Sequence, residues 1–261
     1  MISRRSGGLS IGINLNSDAA CNFACVYCQV HRSRRRDVHD VDVGRLHDEL
    51  EQTINEAKSG SLFEDAFFAG VPKHLREIKD LAFSGDGEPT ACKHFRECVE
   101  VAATVRRELD LAQCKIVLIT NACYLTRPDV AAALLTLDEN NGEIWAKLDA
   151  GTEAYYRRVN RPSHPLQHVV DNIVAAARLR PVVIQSLFMR LDGCRTDEAE
   201  LGAYADRLND IIQRGGRIKH VQVYTVARPP ADHTVTALSR DELDRIAAFV
   251  CRQTGLNTQT F

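Results

Sequence analysis

No apolar run in the 261 residues approaches the ~18 needed for a helix to span a bilayer, so a helical membrane anchor is not expected. Net charge is almost absent too. Thirty-three Lys and Arg against 35 Asp and Glu give −2 and an isoelectric point near 6.5. No basic field therefore covers the whole surface to gather polyanions, and any nucleic-acid contact has to be a local patch. Aromatic residues are scarce at 6%, which leaves no obvious stacking platform of the kind single-strand binders use. Internal repeats and low-complexity linkers are missing as well, so a single domain over 1–261 is expected. The opening stretch MISRRSGGLSIGINLNSDAAC superficially resembles an export signal, with paired arginines and a terminal Ala-Ala-Cys. Asn14, Asn16, Ser17 and Asp18 interrupt any apolar region in it, and a cytoplasmic chain is expected.

What is present is ordinary for a folded protein: 44% hydrophobic and 26% charged residues. Nine cysteines, an odd number without a signal, point to reduced thiols used for metal or reactivity rather than to a disulfide framework. Short apolar, β-rich runs at 9–16, 81–84, 115–121, 143–149, 182–188 and 220–226 read as buried strands. Helical periodicity falls between and after them, at 43–58, 94–108, 128–137, 166–178, 198–214 and 240–253. Thr126 before Pro128 predicts a cap, Ser239 with Glu242 a capping box, and Gly215, Gly216 and Gly255 predict stops. Alternation of this kind predicts an α/β fold with a parallel sheet and right-handed crossovers, six units of which make a partial barrel. Functional groups then gather at the carboxyl ends of the strands.

Directly after the first strand stands CNFACVYC, with Cys21, Cys25 and Cys28 separated by three and then two residues. Three thiolates on one tight loop suit three irons of a cubane and leave the fourth iron open to a small ligand. A zinc site is the competing chemistry, because His31 completes a Cys3His set. The loop resembles the C-x3-C-x2-C motif of the radical S-adenosylmethionine (radical SAM) superfamily, including the aromatic Tyr27 before its last cysteine. The resemblance implies a (β/α)6 partial TIM barrel, a [4Fe-4S] cluster on Cys21, Cys25 and Cys28, and S-adenosylmethionine split to methionine and a 5'-deoxyadenosyl radical. It also implies a one-electron reductant such as flavodoxin or ferredoxin.

After the second strand, SGDGEPT resembles the superfamily's GGEP motif, with Gly85, Gly87, Glu88 and Pro89 matching and implied to hold the methionine amino group; Asp86 departs from it. In related enzymes, strand-end positions equivalent to Thr120, Asn121, Lys147, Asp149, Gln185 and Ser186 contact the methionine carboxylate and ribose hydroxyls, and Val226 matches an adenine-packing position. For each polar residue a bond to loop backbone is an equal alternative, and for Val226 a plain core role. AKLDAGTEAYYRRVNRP and QVYTVARPPAD resemble the tRNA wyosine-base (4-demethylwyosine) synthase branch, whose additional N-terminal cysteines this sequence lacks.

Cys92, Cys123 and Cys194 follow strands and are candidates for a relay or an auxiliary cluster, against scattered packing cysteines. Cys98, Cys114 and Cys251 read as packing. The run from His31 through Arg32, Arg34, Arg35 and Arg36, with Arg157, Arg158, Asn160 and Arg161, is a candidate grip on an anionic substrate or RNA, against a solvated face balanced by Asp37, Asp40 and Asp42. A peptide or small metabolite is the other substrate class; a zinc-stabilised binding module is the non-enzymatic one.

Overall fold

The computed structural model describes residues 1–30 and 40–261; the run from His31 to Arg36 and Asp37 lie outside them. The chain forms two compact units: Met1–Asp18, Arg36–Ile119 and Arg127–Glu143 make one, and Ala19–Arg35, Thr120–Thr126 and Ile144–Phe261 the other.

The first unit contains β1 (Ile2–Ser3), β2 (Gly8–Ile13), α1 (Val43–Ser59), β3 (Ile78–Phe83), α2 (Phe95–Glu108), β4 (Lys115–Thr120) and α3 (Pro128–Glu139). β2, β3 and β4 run parallel, with Ile11 opposite Leu81 and Leu81 opposite Ile116, while the short β1 pairs antiparallel to β2. Leu81, Phe83, Ile116 and Leu118 are fully buried, and Phe83 meets Phe95 of α2 edge-on with ring centres 5.7 Å apart. Such near-continuous apolar strands are what a parallel sheet covered on both faces needs. α1 starts at Asp42, whose side chain accepts from Arg45 N, and stops at Gly60 with φ +90°, a left-handed conformation that glycine adopts without penalty. α3 departs from expectation at its start. Arg127 is its N-cap without a side-chain bond, and Pro128 opens it; the Thr126 hydroxyl instead donates to Asn172 Oδ1 at 2.8 Å.

The second unit contains β5 (Gly142–Lys147), α4 (Glu153–Asn160), α5 (Leu166–Leu179), β6 (Val182–Leu187), β7 (Arg190–Leu191), α6 (Glu198–Gln213), β8 (Ile218–Tyr224), β9 (Val235–Thr236), α7 (Arg240–Thr254) and β10 (Thr258–Thr260). β5, β6, β8 and β10 are parallel neighbours in that order; β7 and β9 form a small antiparallel pair. The Ser239–Glu242 capping box is present, and Gly255 ends α7 at φ +72°. Five elements were not foreseen: β1 in the first unit, and α4, β7, β9 and β10 here. α4 begins at Thr152, whose hydroxyl accepts from Tyr155 N, and Glu200 of α6 buttresses that turn by accepting from Gly151 N at 2.6 Å and Thr152 N at 3.1 Å. Gly151 is obligatory there, since a Cβ would lie 2.1 Å from Tyr204 N.

Candidate cysteine-loop site

The C-terminus of α4 is where the cysteine loop is held. The last carbonyls of a helix have no partner within it. Here Val159 O accepts from Val26 N at 2.9 Å and Asn160 O from Ala24 N at 3.1 Å. Arg161 closes the helix in a left-handed turn (φ +43°), after which Phe23 pairs with Pro162 and Ser163 N donates to Asn22 O at 3.1 Å. The loop backbone is thus bonded to 159–163 at Asn22, Ala24 and Val26, with Phe23 opposite Pro162. Within the loop, Cys28 N donates to Cys25 O at 3.0 Å.

Side chains extend the same grip. Asn160, 1% exposed, directs its amide Nδ2 to Cys25 Sγ at 3.4 Å, Asp149 Oδ2 at 2.8 Å and the Tyr27 hydroxyl at 3.2 Å. Tyr27 donates to Asp149, and Asp149 Oδ1 accepts from Leu187 N at 2.9 Å. Lys147 Nζ donates to the Tyr224 hydroxyl at 2.9 Å and lies 3.9 Å from Asp149 and 4.9 Å from the centre of the Tyr27 ring. Burial opposes the ammonium form of Lys147, but Asp149, Tyr224 and Cys25 more than offset it and hold its pKa above the ordinary lysine range. Burial pushes the Cys25 thiol up to about 11, with Lys147, Asn160 and Tyr27 pulling the other way. Such a thiol is neutral at pH 7 and ionises when a cationic centre takes the thiolate. Around these groups pack Val26, Tyr27, Val159, Leu187, Met189, Leu191, Val226 and Val235.

A cavity of about 340 Å³ opens beside the loop, lined by Ala24, Cys25, Val26, Cys28, Val30, Arg161, Ala231 and Asp232. Next to Cys28, Gln29 donates to Arg228 O at 2.9 Å and accepts from the Arg228 side chain at 2.8 Å. Cys21, Cys25 and Cys28 are not joined in disulfides. Among the described residues no three His, Cys, Asp or Glu side chains gather where they could hold one metal ion. A single zinc would require its sulfurs each about 2.3 Å from one point. A cubane spreads three thiolates over three irons, a donor set these three cysteines can supply, and Cys25 and Cys28 line the cavity. His31, the fourth zinc donor, lies outside the described residues.

The other expected residues fall as follows. Asn121 Nδ2 donates to Asn22 Oδ1 at 2.6 Å, and its Oδ1 accepts from Cys123 N, so it braces the loop from another side; Thr120 Oγ1 accepts from Ala122 N. Gln185 and Ser186 are buried, Gln185 donating to Gln222 Oε1 and Ser186 to Leu148 O. Val226 packs with Val26 and Tyr27 in the cluster named above. In the first unit, Gly85 has φ +143° and lies so close to Asn14 that a Cβ would sit 2.5 Å from Asn14 Oδ1, which accepts from Asp86 N at 3.2 Å. Glu88, 2% exposed, caps the turn Pro89–Ala91, accepting from Thr90 N at 3.1 Å and Thr90 Oγ1 at 2.5 Å. Cys92 is half-buried, Cys123 buried and Cys194 exposed, and among the described residues none belongs to a metal-holding group. Cys98 and Cys114 are buried, as packing residues are, but Cys251 is exposed on α7. Each arginine at the end of α4 has an acidic partner: Arg157 with Glu153 at 2.8 Å, Arg158 with Asp192 at 2.8 Å, Arg161 with Asp232 at 3.4 Å. Asn160 and Tyr224 were not foreseen as parts of this site; the asparagine is read among the basic residues of YRRVNRP, and only its placement in the last helical turn hints otherwise.

An α/β protein carrying three reduced cysteines on one clamped loop is the class these features define. A profile of the radical SAM superfamily matches residues 16–192, and the chain belongs to that superfamily. Among curated relatives, a UPF0026 protein of Methanocaldococcus jannaschii is 29% identical over 173 residues, 66% of this chain and 46% of that protein. A UPF0026 protein of Helicobacter pylori is 22% identical over 253 residues, 95% of this chain and 71% of that one. Among solved structures, Streptococcus suis SuiB bound to its precursor peptide SuiA superposes with a TM-score of 0.66 at 12% identity, covering 98% of this chain and 49% of SuiB. TYW1 with a lysine–pyruvate adduct bound gives 0.57 at 14%, covering 90% and 70%. The chain spans about half the length of the archaeal relative and of SuiB. The fold is the (β/α)6 partial TIM barrel of the radical SAM type, and members of the superfamily are enzymes that use a [4Fe-4S] cluster and S-adenosylmethionine. No helix among the described residues is long and apolar enough to cross a membrane.

Proposed function

We propose that Cys21, Cys25 and Cys28 hold the [4Fe-4S] cluster of this enzyme and that the substrate is a peptide or small metabolite reaching the cavity beside them. The observation that carries the reading is the clamp on the loop: backbone bonds from Val159 and Asn160, and an amide donor aimed at Cys25 Sγ. Held by Cys21, Cys25 and Cys28, such a cluster would supply the one-electron reduction by which S-adenosylmethionine is split to methionine and a 5'-deoxyadenosyl radical able to remove hydrogen from a substrate.

The chain's own residues bind, orient and exclude water. Gly85 and Gly87 let backbone approach the methionine moiety, and Glu88 and Pro89 shape that turn. Lys147, kept as an ammonium, supplies positive charge for a carboxylate, while Asp149, bonded to Tyr27 and Asn160, suits a hydroxyl or ammonium donor. Thr120 and Asn121 shape the adjoining strand end, and Gln185 and Ser186 hold the β6 terminus that Asp149 leans on. Val226 offers an apolar surface to the adenine. The apolar residues around Tyr27 keep the site dry, which strengthens every charge in it. A one-electron donor such as flavodoxin or ferredoxin is the matching reductant for that cluster.

The peptide or metabolite reading is favoured over tRNA because Arg157, Arg158 and Arg161 are already paired with carboxylates. RNA recognition would then rest on Arg32, Arg34, Arg35 and Arg36, outside the described residues. The test is anaerobic turnover with reduced protein in cell extract stripped of RNA, beside bulk tRNA alone. Product-coupled 5'-deoxyadenosine in the extract supports the reading; coupling to tRNA alone overturns it.

A further inference from the structure

We propose that Asn160 is a positioning residue that tunes the reduction of the cluster through an N–H···S hydrogen bond to Cys25. This rests on the reading that Cys25 is a cluster ligand, and it assigns two different tasks to one residue. The Asn160 carbonyl, with that of Val159, holds the loop backbone through Ala24 N and Val26 N. Its side chain reaches past the backbone to Cys25 Sγ at 3.4 Å.

The amide is fixed in that aim. Nδ2 also donates to Asp149 Oδ2 at 2.8 Å, and Asp149 is itself anchored by Leu187 N at 2.9 Å, so the amide cannot swing away without abandoning a charged acceptor. Oδ1 of the same amide is buried and finds no partner among the described residues. Leaving a buried acceptor unsatisfied costs about 1–3 kcal/mol. Turning the amide would set Oδ1 against the Asp149 carboxylate, so the donor stays toward sulfur and carboxylate.

Hydrogen bonds to cluster sulfurs are one of the protein's levers on the potential. When the cluster takes one electron from an external donor, negative charge on its thiolates rises, and an N–H donor at Cys25 stabilises the reduced state more than the oxidised one. Removing the donor makes reduction harder.

The experiment compares full-length wild-type, Asn160→Leu and Asn160→Ala proteins after anaerobic reconstitution, with iron and sulfide analysis and a redox titration followed by electron paramagnetic resonance. Leucine keeps the shape of asparagine without its donor; alanine removes the amide without placing apolar atoms beside Tyr27 and Asp149. Wild-type iron content with about a tenfold smaller equilibrium constant for reduction, a midpoint about 59 mV more negative for a one-electron couple, is the expected result. An unchanged midpoint in variants that load iron overturns the inference. So does loss of iron in both variants with the fold retained by circular dichroism, because holding the loop is assigned to the backbone carbonyls. Failure of the underlying reading looks different: the wild-type protein itself takes up no cluster, or Cys25→Ala keeps it.

Discussion

Val26 N–H donates to the carbonyl of Val159 at 2.9 Å, so the residue directly after the second cysteine of the motif is tied to the last turn of a helix more than 130 positions away. α4 acts as a strut between two fixed points. At its start, Glu200 accepts two backbone N–H groups and the Thr152 hydroxyl, the last at 2.5 Å, and Gly151 fits against Tyr204. At its end the orphan carbonyls receive the cysteine loop. The placement of the thiols thereby depends on residues that never approach them.

Loosening the start of the strut is expected to show at the far end. Glu200→Ala strips a buried carboxylate from two backbone donors and should cost about 3 kcal/mol, a fall in Tm of about 6–12 °C. Gly151→Ala should cost up to about 3 kcal/mol by overpacking against backbone that cannot yield. Thermal unfolding checks both, and iron per chain after reconstitution should fall in parallel.

The Gly85 position tests the second motif independently of the first. Gly85→Ala combines a left-handed backbone conformation with a clash on Asn14. S-adenosylmethionine binding, measured by equilibrium dialysis, should weaken at least about tenfold, about 1.4 kcal/mol. Wild-type affinity would remove Gly85 from the proposed site.

Much of this arrangement is legible in the sequence, and where it is not the reason is physical. The six long strands announce themselves as short apolar runs buried on both faces and the six long helices by one regular apolar face, and the capping box at Ser239 and Glu242 marks its helix locally. α4 escapes because its eight residues carry two arginines, a glutamate and an asparagine and read as a charged loop; what makes it a helix is Glu200, 47 residues beyond its first residue. β10 escapes because Thr-Gln-Thr has no apolar pattern and gains strand structure only by pairing with β8. The cysteine motif is local and stands out at once. Asn160 owes its place to contacts with positions 25, 27 and 149, which no short window contains.

Thiol chemistry separates the cysteines by burial. Burial pushes Cys98 and Cys114 up to about 12, so both stay neutral and shielded at pH 8, whereas Cys194 and Cys251 are exposed. Brief alkylation at pH 8 followed by mass spectrometry should modify Cys194 and Cys251 and spare Cys98 and Cys114 until denaturant is added. The linkage runs the same way. A thiol whose folded pKa is raised above its unfolded value near 9 contributes stability that is complete below about pH 9 and is lost as pH climbs toward about 12. Chemical unfolding at pH 8 and pH 10.5 should show that loss, and Cys98→Ala should diminish it.

The most direct test of the central claim is 5'-deoxyadenosine release from S-adenosylmethionine by anaerobically reconstituted, dithionite-reduced protein, with Cys25→Ala alongside. The wild-type protein should release 5'-deoxyadenosine and carry about four irons per chain, and the variant should do neither. Equal release by Cys25→Ala, or a wild-type protein that binds zinc in place of iron and releases nothing, would contradict it.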